Sequence, residues 1–192
     1  NYALVDLPFF QEVIAGIQEI AAMNEYDILL CICEENDVSS LERILRNGKV
    51  DGVVLLRTFL HDAQIKLLCQ KKIPFVTTGS TTYKKVKQVD NDHESACREL
   101  TSILLMRGMK RIALLGGSES YVVTQNRYKG YAKAYEQMQQ SMDESLIYMN
   151  LETKLFIDRA VEDALEKKAD CILCMDDAIC SQVLRKLRQE HV

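Results

Sequence analysis

The sequence predicts an α/β protein made of two doubly wound parallel-sheet lobes. Three observations carry that prediction. Helix-like and strand-like stretches take turns along all 192 residues with short connections. Several strand-like stretches are short, continuous apolar runs, which is how a parallel strand covered on both faces reads. The alternation also restarts once, after a helix that stops at Gly108, and repeated strand–helix alternation winds into a parallel sheet flanked by helices. The lobes are expected at residues 1–90 and 91–192.

The first helix is expected over Pro8 to Met23, where Phe10, Val13, Ile14, Ile17, Ile20 and Ala21 fall on one stripe. Asp6 can cap it and Pro8 suits its first turn. Ile28 to Cys33, an uninterrupted apolar run, reads as a buried parallel strand. A helix from Ser39 to Asn47 follows, with Leu41, Ile44 and Leu45 inward and Gly48 placed to end it. The alternation continues with strand Gly52 to Leu56, helix Asp62 to Lys71, strand Ile73 to Thr78 and an edge strand Val86 to Asp90.

Asn91 with Glu94 three residues on has the form of a helix start, opening a helix that runs to Gly108. Strand Arg111 to Gly116, helix Thr124 to Gln140, strand Leu146 to Asn150, helix Thr153 to Lys168, strand Cys171 to Met175 and helix Asp177 to Glu190 complete the second lobe. Ligands of open parallel sheets bind beyond the carboxyl ends of the strands, so two such lobes are expected to enclose a cleft there.

Composition removes several classes. With 47% apolar and 27% charged residues the chain is an ordinary globular one. Its longest apolar runs fall far short of the roughly 20 residues of a membrane span, so no membrane partner is expected. The seven cysteines are an odd number, and several lie inside apolar runs. That pattern, with no leader-like segment, suggests a reducing cytoplasm.

Cys171 and Cys174 have the spacing of half a metal knuckle, but no second pair or histidine cluster follows, so no metal is expected. The net charge is −4, and the basic residues are dispersed, so no face of this chain suits a phosphate backbone. There is no Gly-x-Gly-x-x-Gly, no phosphate-loop lysine and no Gly-x-Ser-x-Gly. His61, His93 and His191 read as surface or helix-end residues. Neither an enzyme nor a cofactor is expected.

Five stretches carry a resemblance to a known family. They are Pro8-Phe9-Phe10 with the helix it opens; Ile73-Pro74-Phe75-Val76 with Val89-Asp90-Asn91-Asp92; Arg107-Gly108 through Ile112-Ala113-Leu114-Leu115-Gly116-Gly117; Arg127-Tyr128-Lys129-Gly130-Tyr131; and Ala169-Asp170-Cys171-Ile172 through Asp176-Asp177-Ala178. In order and spacing they resemble the sensor core of the lactose/galactose-repressor (LacI/GalR) family, whose fold is that of the type I periplasmic binding proteins. The resemblance implies a helix-turn-helix headpiece and further C-terminal strands lying outside this chain, so that the fragment is incomplete at both ends. It also implies a small-molecule effector, a sugar first and a purine second, operator DNA contacted only through the headpiece, and a homodimer. An exported sugar-binding protein of an ABC transporter is the alternative on the same fold.

The resemblance further implies the site. Phe9 and Phe10 can stack on a sugar ring or base from the start of the first helix. Arg127 matches the family's effector-contacting arginine, a planar donor fork suited to hydroxyl pairs. Asp176 is expected at the end of its strand with its carboxylate toward the ligand, leaving Asp177 to cap the next helix. Thr78 stands at a position where the family places a polar contact, and Tyr121 lies in a loop that lines the family's pocket. Asp90 and Asn91 are expected at the joint between the lobes. Leu7 and Glu25 depart from the family's usual residues, as does Asp176 from its usual Asn.

Overall fold

A computed structural model gives the fold and describes residues 8–33 and 35–192. The expectations for Asp6 and Leu7 lie outside the described residues. The chain forms two compact units, Tyr2–Asp90 and Asn91–Val192.

The C-terminal unit is built around β4 (Ile112–Leu115), every residue of which is buried. It pairs in parallel with β5 (Ile147–Tyr148) on one side and β6 (Cys171–Cys174) on the other. Side chains alternate across a strand, so β4 feeds two cores. Ala113 and Leu115 pack with Ile157, Val161, Ile179 and Val183 of α6 (Lys154–Glu166) and α7 (Asp177–Gln189). Ile112 and Leu114 pack with Leu105, Tyr131, Ala134 and Tyr135 of α4 (His93–Met106) and α5 (Val122–Gln137). Helices thus cover both faces, which is the doubly wound arrangement. The contiguous apolar run in the sequence is the direct consequence.

Three of the four α-helix starts of this unit have side-chain caps. Asp92, Thr153 and Asp176 accept from the backbone N–H of Ser95, Phe156 and Ile179, satisfying donors that a helix leaves unpaired. The cap of α4 is Asp92, one residue after the expected Asn91. The strand expected over Leu146 to Asn150 is a short 3₁₀ turn at Glu144–Leu146 followed by the two residues of β5.

The N-terminal unit holds a three-stranded parallel sheet ordered β1 (Val53–Leu55), β2 (Phe75–Thr78), β3 (Lys87–Val89). β3 lies at an edge and is exposed throughout, within the edge strand expected over Val86 to Asp90. Asp62 caps α3 (Ala63–Lys71) by accepting from Ile65, and Lys72 closes it in the left-handed conformation. Leu67 and Leu68 of α3 and Leu41 of α2 (Ser39–Arg46) pack with Val53, Leu55 and Phe75.

Two expectations for this unit fail. α1 (Pro8–Met23) forms with the expected bounds, yet it buries no residue. Ile28 to Cys33 is not a strand: none of the described strands pairs with it, and Leu29, Leu30 and Ile32 are more than half exposed. A strand exists through the hydrogen bonds of a ladder, which an apolar composition invites but does not supply.

Candidate functional site

The expected binding residues lie at the carboxyl ends of strands or the amino ends of helices, within one unit or the other. In the C-terminal unit the centre is Arg127. It stands in the second turn of α5, because that helix begins at Val122 and not at Thr124. Its guanidinium donates through Nη1 to the carbonyl oxygen of Met175, the first residue after β6, and its Nη2 lies 3.4 Å from Nδ1 of His93, the first residue of α4. Both Arg127 and His93 are half-buried.

Three elements therefore meet at this arginine, and the sequence places them there by simple means. β6 ends where its apolar run meets Asp176, α4 begins on the Asp92 cap, and α4 and α5 approach closely because Gly130 has no side chain. A methyl group at Gly130 would stand 2.2 Å from the carbonyl oxygen of Glu94 and 2.9 Å from the amide nitrogen of Arg98. Beneath the arginine, burial pushes the Cys97 thiol above its ordinary value, while a hydrogen bond with Thr101 and the charge of Arg127 draw it part of the way back.

Asp176 follows Met175 and takes the capping role that had been expected of Asp177. Its carboxylate caps α7, with Oδ1 accepting from the Ile179 amide at 2.8 Å. Asp177 is the first helical residue, and its Oδ1 accepts from Ala178. The cap thus falls one residue earlier than expected: the extended backbone is at Asp176, and an N-cap must stand just before the first helical residue. Tyr121 holds the position before α5 with extended backbone and makes no side-chain cap. The loop that carries it is tied together at Ser118 and Ser120, whose hydroxyls lie 2.9 Å apart, and by Asn150, whose Oδ1 accepts from the Glu119 amide.

In the N-terminal unit, Phe9 and Phe10 open α1 and pack edge to face, with ring centroids 5.1 Å apart. Phe9 is 55% exposed. The Arg57 guanidinium, two residues beyond β1, sits 5.2 Å from the centroid of the Phe10 ring, a cation–π distance. Thr78 ends β2, and its hydroxyl donates to the carbonyl of Leu55 at 3.3 Å. Asp90 follows β3 and accepts from the Ser80 amide at 2.7 Å, so the ends of β2 and β3 are linked at the same edge. Asn91 accepts through its carbonyl from the His93 amide.

The structure thus groups Phe9 and Phe10 with Arg57, links Thr78 and Asp90 through the strand-end loops, and centres Arg127 on Met175 and His93. Sequence reasoning did not single out Arg57, and it read His93 only as a surface or helix-end residue. Arg57 had a usable signal, since it follows an apolar strand just as Thr78 closes one. His93 had none beyond its place beside a helix cap, because the arginine it meets is 34 residues away.

Against known proteins, the family described as "Periplasmic binding proteins and sugar binding domain of LacI family" matches residues 2–189. The HTH-type transcriptional regulator MalR of Streptococcus pneumoniae is 31% identical over 143 residues, covering 73% of this chain and 44% of that protein. Catabolite control protein A of Staphylococcus xylosus is 28% identical over 173 residues, covering 88% of this chain and 52% of its own length. The chain therefore spans about half the length of the curated relatives it matches.

A solved structure of a putative LacI transcriptional regulator from Bacillus cereus superposes with a TM-score of 0.89 at 27% identity, covering 95% of this chain and 67% of that one. Members of the LacI family are transcriptional regulators and not enzymes. No helix among the described residues is long and apolar enough to cross a membrane. The parallel sheets, the order of elements and the family match over residues 2–189 together establish that this chain belongs to the LacI family, in its periplasmic-binding-protein-like, sugar-binding domain.

Proposed function

We propose that this chain is the effector-sensing core of a cytoplasmic transcription regulator, and that a small molecule bound by it alters how a homodimer engages operator DNA through a separate headpiece. A sugar is the first class of effector and a purine the second. The observation that carries the reading is Arg127, fixed by Met175 and His93 at the carboxyl end of β6, where open parallel sheets hold their ligands. A guanidinium held in a set plane is a fork of donors, which suits adjacent hydroxyl oxygens. Phe9 and Phe10 offer an aromatic surface on which a sugar ring or base can stack, and Tyr121, Thr78 and Asp176 supply further polar groups.

A ligand drives such a regulator only through differential affinity for two states of the molecule. The regulatory names of the matched relatives support this reading over that of an exported sugar-binding protein.

A thermal-shift screen of the intact protein against maltose, cellobiose, ribose and adenine tests it. A ligand at a hundred times its dissociation constant adds about 2.7 kcal/mol, or roughly 5–10 °C for a domain of this size. The expected result is a shift of that order with one of these probes, abolished by Arg127→Ala. A shift that persists in that variant removes Arg127 from the site.

A further inference from the structure

His93 is the unassigned group in the Arg127 constellation. A guanidinium carries donors only and stays protonated in proteins. The contact at 3.4 Å between Arg127 Nη2 and His93 Nδ1 therefore requires Nδ1 to be the acceptor, and so to carry no proton. The imidazole is then neutral with its hydrogen on Nε2. The second acceptor, the Met175 carbonyl, meets Nη1 from β6. The two terminal nitrogens of the guanidinium are thus gripped from two different elements, α4 and the end of β6, while the side chain itself rises from α5.

Holding both terminal nitrogens fixes the plane and rotation of the group, not merely its position. A long, flexible arginine left to itself loses considerable rotamer freedom on binding a ligand, and this arrangement removes that loss in advance.

We propose that His93 is a positioning residue for Arg127: in its neutral, Nε2-protonated form, its Nδ1 and the Met175 carbonyl hold the guanidinium as an oriented plane of donors, and ligand affinity depends on that orientation. The inference rests on the reading of Arg127 as a ligand contact. It extends that reading by assigning a role to a residue two positions beyond the unit boundary, on a different helix from Arg127.

Two measurements on the intact protein test it. The first needs no ligand: ¹⁵N-resolved NMR of the imidazole and guanidinium groups at neutral pH. The expected result is a His93 ring with Nδ1 unprotonated. The Arg127 side-chain N–H signals should be displaced in His93→Ala and returned toward wild type in His93→Asn, whose Oδ1 keeps an acceptor near the place of Nδ1. A protonated Nδ1, or Arg127 signals indifferent to His93→Ala, overturns the proposal.

The second measures affinity for whichever of maltose, cellobiose, ribose or adenine the wild-type protein binds. His93→Ala should bind about tenfold more weakly, the effect of losing one ordering hydrogen bond, and His93→Asn should recover most of that loss. Full affinity in His93→Ala together with lost affinity in Arg127→Ala overturns this proposal alone. Undiminished affinity in Arg127→Ala overturns both this proposal and the reading beneath it.

Discussion

The residue that most constrains the C-terminal unit is Gly130. It lies buried on α5 where that helix meets the first turn of α4, and the atoms a methyl group would strike are backbone atoms of α4, which cannot rotate aside. Gly130→Ala is therefore an overpacking substitution even though alanine is the better helix former. It should lower the stability by about 3 kcal/mol, read as a shift in the urea midpoint at unchanged slope. Because Glu94 follows His93 directly and Arg98 lies little more than a turn beyond it, the same variant should also disturb the Arg127 hydrogen bonds. At Asp176, by contrast, the expected loss is that of a cap. Asp176→Ala should cost about 1 kcal/mol and Asp176→Asn almost nothing, since asparagine caps as well as aspartate does. Comparing the two by thermal denaturation separates the cap from any ligand contact the carboxylate makes.

At the scale of elements, the helices were legible in the sequence because their signals are local: a periodic apolar stripe opening at Asp62, at Thr153, and at Asn91, one residue before the observed cap Asp92. The central strand was legible because four residues buried on both faces leave a continuous apolar run. The misread segment, Ile28 to Cys33, is as continuously apolar as β4 and has a different fate. Pairing is a property of two segments, and one segment's composition does not contain it. Arg127 could be named in advance because the family pattern gives its residue type, whereas its contact with His93, made across 34 residues of chain, could not.

The hydrogen-bonded aspartates also make a prediction about pH. Hydrogen bonds from the Ser95 amide hold the Asp92 carboxyl below the usual carboxylate range, and bonds from Ser145 and from Lys167 do the same for Asp143 and Asp163. A carboxylate whose folded value is depressed adds stability above its unfolded value, near pH 4, and loses it as pH falls through the folded one. Asp62 acts in the opposite direction, since burial raises it despite the amides it accepts from. The melting temperature should therefore fall steadily between pH 5 and pH 2, with a shallower slope in Asp92→Asn, measured by circular dichroism across that range. An unchanged slope in the variant would mean that the cap bond does not persist in solution.

For the molecule as a whole, the two units differ in how much apolar material they bury. The buried apolar side chains of the N-terminal unit, among the described residues, are Leu41, Ile44, Ile65, Leu67 and Leu68, and its helix α1 buries none. The C-terminal unit has two cores, one on each face of its sheet, joined through a strand that is entirely buried. Local opening is easiest where burial is least, so the two units should not protect their backbone equally. Hydrogen exchange followed by mass spectrometry should find the amides of β4, β6 and the middle of α5 the slowest in the chain, and those of α1 and of Ile28 to Cys33 among the fastest. A thiol probe gives an independent view. Burial pushes the Cys174 thiol up to about 12, so it should react slowly with a disulfide reagent at pH 8, whereas Cys69 on the outer face of α3 is exposed and should react first. If Cys174 instead reacts as fast as Cys69 while β4 stays protected, the opening lies at the end of β6 beside Met175, and the grip on Arg127 would be released without unfolding the core.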